Sequence, residues 1–89
     1  MKSFRKQPRD RLDYDFLFSR WLIAGDAISS VQVDAPNGIE YEGVAFTDTA
    51  IKVWVSGGTS GQSYPFAVRA ITNQGRVKEV DFMITVVEI

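Results

Sequence analysis

Residues Val53 to Arg76, VWVSGGTSGQSYPFAVRAITNQGR, decide how the rest of the chain is read. They hold the end of one strand, a glycine-rich turn, a long segment with Tyr64, Phe66 and Val68 on one face, and the tight turn Asn73-Gln74-Gly75. Successive side chains of a strand point to opposite faces, so apolar residues recurring at every second position between glycine turns predict a small antiparallel β domain. Pro65 lacks an N–H, which puts this strand at a sheet edge there or starts it further on.

Toward the C-terminus the pattern is clearer still. Val80, Phe82, Ile84 and Val86 alternate with Glu79, Asp81 and Thr85, and only Met83 and Val87 soften the outer face. Toward the N-terminus, Ile51, Val53 and Val55 oppose Lys52, Trp54 and Ser56. Trp54 therefore either packs on a second layer or lies exposed at a contact surface. In IEYEGVAF (39–46) the apolar phase flips at Gly43, which predicts a bulge or a corner at that glycine. Residues 27–35 read as a half-buried strand ended by Pro36-Asn37-Gly38.

Leu12, Tyr14, Phe16 and Phe18 form a first strand, interrupted by Leu17. Ser19 to Ala24, which contains Trp21, predicts one short helical or 3₁₀ turn stopped at Gly25-Asp26. A longer amphipathic helix over 12–24 is the competing reading. Residues 1–11 carry one large apolar side chain, Phe4, and Pro8, and read as an extended arm anchored by Phe4. Six or seven short strands at 8–12-residue spacing then predict an all-β fold: an immunoglobulin-like antiparallel β-sandwich over 12–89 with an extended N-terminal arm over 1–11.

The bulk numbers bound what such a domain does. The chain has 89 residues, a hydrophobic content of 45% and a net charge of −1, which provides one thin core and no overall field to attract nucleic acid or an anionic membrane. Five of the ten basic side chains stand in the first eleven residues beside a single acid, leaving five bases against ten acids in the remainder. That charge run is either a solvated terminus or a segment that orders on a partner. No apolar stretch reads as a membrane span, and no apolar run follows the basic start as a secretory leader would require.

With neither histidine nor cysteine, thiol nucleophiles, the Ser-His-Asp arrangement and the usual zinc sites are excluded. The i, i+2 acid pairs Asp13/Asp15 and Glu40/Glu42 are what the wet face of a strand contains. Asp13, Asp15, Asp26 and Asp34 lack the contiguous spacing of a calcium loop. GGTSG (57–61) is followed by a strand rather than by Lys-Ser/Thr and a helix, so it reads as a turn with positive φ and not as a phosphate cradle. No catalytic residue, cofactor or metal ion is expected.

Taken in order, RLDYDF (11–16), RWLIAGDAISS (20–30), VWVSGGTSGQSY (53–64) and RAITNQGR (69–76) resemble the fibre-tail adaptor or neck proteins of tailed bacteriophages and prophages. The likeness runs from Pro8 to Val86. It departs from the family pattern at Leu17-Phe18, where Asp-Trp is usual, and in a closing strand without the usual basic end. The resemblance implies a non-enzymatic, immunoglobulin-like virion component, made in the host cytoplasm and present in several copies in a symmetric ring at the head-to-tail or tail-to-fibre junction. Its implied partners are other virion proteins: portal or neck, tail tube or nozzle, and tail fibre. The residues expected to meet them are Phe4, Arg5, Arg9, Arg11, Trp21 and Trp54. An immunoglobulin-like adhesion or carbohydrate-binding module of a bacterial surface protein is the alternative.

Overall fold

A computed structural model describes residues 2–88, and within them the chain forms seven strands and no helix. They are β1 (Lys2–Lys6), β2 (Arg11–Leu17), β3 (Ile28–Asp34), β4 (Glu40–Phe46), β5 (Ala50–Ser56), β6 (Ser63–Thr72) and β7 (Val77–Val86). Two sheets result, one ordered β1-β7-β6-β3 and the other β2-β5-β4. Only the β4–β5 and β6–β7 connections join hydrogen-bonded neighbours, and every other connection passes from one sheet to the other.

The core lies where the alternating faces meet. Tyr14 and Phe16 of β2, Ile51, Val53 and Val55 of β5, Tyr64, Phe66 and Val68 of β6, and Phe82, Ile84 and Val86 of β7 are all buried. Register places like with like: Phe66 is directly opposite Phe82, and the two rings stack at 4.9 Å with 8° between their planes. Phe16 packs on Phe82 from the facing sheet at 4.8 Å. Stacked and tilted aromatic pairs of this kind add about 0.5–1.5 kcal/mol each beyond their area burial.

The N-terminal segment differs from the expected arm. Lys2–Lys6 is the outer strand of the four-stranded sheet, and it runs parallel to β7 with Phe4 opposite Ile84. The sandwich is thus antiparallel except at this pair. The cause is Phe4 itself, whose ring sits 4.7 Å from Tyr14, 6.1 Å from Phe16 and 5.9 Å from Phe82. An aromatic ring gains more by entering its own core than by remaining in water. Gln7 to Asp10 then form a tight turn, closed by Asp10 N donating to Gln7 O at 3.0 Å and Gln7 N donating to Asp10 Oδ2 at 2.9 Å.

Residues 12–24 are not a long helix. β2 ends at Leu17, and one helical turn follows in which Trp21 N and Leu22 N both donate to Phe18 O. At Gly43 the bulge is present and the corner is not: the β4–β5 register shifts between Tyr41 and Gly43, yet β4 stays paired with β5 along its length. Gly43 has a φ of 146°, open to glycine and strained for other residues. Pro65 lies just beyond the β3 ladder, which stops at the Asp34–Ala67 pair, so β6 is an edge there on that side.

The glycine-rich loop is fastened to its surroundings. Gly61 N donates to Val86 O at 2.8 Å and Thr59 N to Tyr64 Oη at 2.8 Å. At Gly58, with φ 92°, an added Cβ would come within 2.7 Å of Val86 Cγ2. That glycine is required by packing, consistent with a turn and with no ligand.

Candidate partner-binding surface

The outer face of β2-β5-β4 carries the densest group of chemically distinctive side chains. Pairing sets them in rows, with Arg11 beside Ser56 and Glu40, Asp13 beside Trp54 and Gly43, and Asp15 beside Lys52 and Ala45. The inner faces of the same strands are in the core, so period two leaves these side chains no direction but outward. Trp54 is half-buried, and the Arg11 guanidinium lies over its ring at 4.5 Å. The bulge at Gly43 adds one residue to β4, and Glu42 uses that displacement to accept from Arg11 Nε and from Ser56 Oγ. Those bonds, Ser56 first and Arg11 second, hold the Glu42 carboxyl below the usual carboxylate range.

Alongside, Lys52 Nζ lies 3.2 Å from Asp13 Oδ2 and 3.9 Å from Asp15 Oδ1. The two sequence acid pairs are therefore divided, Asp13 and Asp15 between them holding one lysine and Glu42 one arginine. The surface is a flat array of matched charges around an aromatic ring, with glycine backbone on one side of it. Arginine and tryptophan side by side are the composition of protein-binding hot spots.

The expected contact residues do not form one patch. Arg11 and Trp54 come together. Phe4 is turned into the core. Arg5 and Arg9 are exposed, and among the described residues neither has an ion-pair partner. Trp21 packs edge-on against Phe18 at 6.4 Å, covered by the Arg76 guanidinium at 4.2 Å. Arg76 reaches it from the β6–β7 hairpin, where Thr72 N donates to Arg76 O at 2.9 Å.

Sequence reasoning missed Glu42, Ser56, Lys52 and Arg76 as members of these groups. Only the phase flip at Gly43 signalled that Glu42 changes faces. Lys6, also unremarked, is 2% exposed; its ammonium donates to Gln7 O at 2.7 Å and to Gly57 O. Burial pushes its pKa below the usual lysine range, and Asp10 and then Tyr64 oppose that shift.

A two-sheet scaffold that offers sheet faces and strand edges belongs to the class of binding and structural modules. Among the described residues, no group of three or more His, Cys, Asp or Glu side chains is placed to hold a metal ion. Residues 6–85 match the family described as Podophage GP4 fiber-tail adaptor protein gp77, and the chain belongs to that family. It is a structural adaptor family and not a class of enzyme. No curated protein matches the chain.

Proposed function

We propose that the protein is a non-enzymatic structural component of a tailed-phage virion, an adaptor that joins the tail fibre to the tail. The observation that carries this reading is the family match over residues 6–85, almost the whole chain. The strand order supports an immunoglobulin-like description: β2-β5-β4 and β3-β6-β7 correspond to the BED and CFG sheets of that sandwich, with the first strand added at the G edge. The Arg11/Trp54 face engages another virion protein, fibre or tail, and exposed Arg5 and Arg9 give the N-terminal segment 1–11 its contacts with neighbouring subunits. Several copies in a symmetric ring at the tail or neck, made in the host cytoplasm, complete the proposal.

The surface-adhesin or carbohydrate-binding alternative finds less support. A sugar stacks on an open aromatic face, and the Trp54 ring is already covered by Arg11.

The test is phage carrying Trp54→Ala, with the purified variant melting close to wild type. Particles with tails but a reduced fibre complement are expected. A full fibre complement, with the variant incorporated normally, overturns the assignment of this face. Absence of the protein from purified particles overturns the adaptor reading itself.

A further inference from the structure

The opposite face, the outside of β1-β7-β6-β3, has a different charge pattern. Reading across the strands, Arg5 lies beside Thr85 and Ser63, then Ser3 beside Met83 and Pro65, then Asp81 beside Ala67 and Asp34. A lone cation stands at one side, uncharged small or flat residues occupy the middle, and two carboxylates stand at the other side. Where β3 stops and Pro65 offers no N–H, the surface sinks into a groove of about 410 Å³. It is lined by Asp34, Pro36, Pro65, Phe66, Ala67 and Asp81. Asp34 is held by Arg69 at 2.8 and 3.0 Å. Asp81 has no ion-pair partner among the described residues.

An apolar slot with a free carboxylate at its rim suits a side chain with an aliphatic stem and a cationic head. The molecule carries that side chain on the same face. Arg5 and the slot are two strand spacings and one two-residue step apart, roughly 12 Å. Rotating a copy by half a turn about an axis lying in the plane between two facing sheets maps each point of the face onto its mirror position. An axis bisecting the line from Arg5 to the slot seats Arg5 of each copy in the slot of the other, and closes Ser3, Met83 and Pro65 between them. Such a contact is isologous and therefore closed, the commonest form of homodimer.

We propose that this face binds a second copy of the chain, forming a two-fold dimer in which Arg5 of each copy enters the Asp34/Asp81 slot of the other. Four strands about 4.8 Å apart and five rows about 6.8 Å apart cover roughly 600 Å² per copy. Twice that is the low end for specific interfaces, so the dimer is weak and salt-sensitive. Back-to-back pairing leaves both Arg11/Trp54 faces outward on opposite sides. The dimer itself does not depend on the adaptor reading.

Sedimentation equilibrium of the full chain, from micromolar to millimolar concentration at low and high salt, tests it. The expected result is a reversible shift from 10.0 kDa toward twice that mass, weakened by salt. Arg5→Asp and Asp81→Arg, both on the exposed face, each weaken association by on the order of tenfold or more through like-charge juxtaposition. An equimolar mixture of the two variants recovers it, because one of its two contacts is native and the other is the same pair with its charges exchanged. A chain monomeric at millimolar concentration in low salt overturns the proposal. So does a dimer indifferent to both substitutions, or a mixture that fails to recover while each variant keeps the wild-type melting temperature.

Discussion

Truncating Phe4 to alanine tests whether β1 belongs to the sandwich. Phe→Ala in a packed core costs about 3–5 kcal/mol. Phe4 is half-buried, with its ring against Tyr14, Phe16 and Phe82, so roughly half of that, about 2 kcal/mol, is expected. Unfolding entropy of about 2.1 cal/mol/K per residue gives roughly 0.19 kcal/mol/K for a chain of 89 residues. Phe4→Ala therefore lowers Tm by about 10 °C. Phe4→Leu, which keeps most of the apolar volume, recovers more than half of the loss. Thermal melts by circular dichroism give the shift, and hydrogen exchange gives its location: β1 amides protected in the wild type lose protection first in the alanine variant. A drop under about 2 °C, together with β1 amides that exchange freely in the wild type, would refute the docking and restore a free arm.

Other outcomes follow from the same packing. Gly58→Ala costs about 2 kcal/mol or more, since a left-handed φ and a 2.7 Å approach to Val86 act together. Gly61→Ala, with nothing within 4 Å of its added Cβ, costs about 1 kcal/mol for the backbone alone; equal urea midpoints for the two variants would contradict this account. Tyr14 Oη is buried without a hydrogen-bond partner among the described residues, so Tyr14→Phe holds or raises Tm, by up to about 1 kcal/mol of stability. Asp34 is held below the usual carboxylate range by Arg69, Glu42 by Ser56 and Arg11. Asp26 is held there by hydrogen bonds from Thr72, Ala27 and Gln74 that overcome the opposing effect of burial. A carboxylate with a depressed folded pKa contributes stability above its unfolded pKa and loses it as pH falls through the folded one. Urea midpoints are therefore flat above about pH 5 and fall below about pH 4, and Glu42→Gln flattens that fall; an unchanged acid profile in the variant would remove Glu42 from the explanation.

The sequence alone determined that the chain is built of strands and where most of them lie. Period two is a local property: Tyr64, Phe66 and Val68, or Phe82, Ile84 and Val86, declare one buried face whatever stands next to it. Turns are equally local, as at Asn73-Gln74-Gly75, where only a glycine accepts the required φ. The four motifs between Arg11 and Arg76 carried the family. Pairing is not local, and the tertiary structure decided it. Nothing near Phe4 in the chain reveals that Tyr14, Phe16 and Phe82 leave room for its ring, so an arm and a parallel edge strand read alike until the sheets are assembled. Glu42 and Arg11 stand far apart in sequence and meet only because β2 and β4 both flank β5 while a bulge turns Glu42 outward. The groove beside Pro65 exists because β3 ends before β6 does. Alternation says which way a side chain points, but only the register between strands distant in sequence says what it meets there.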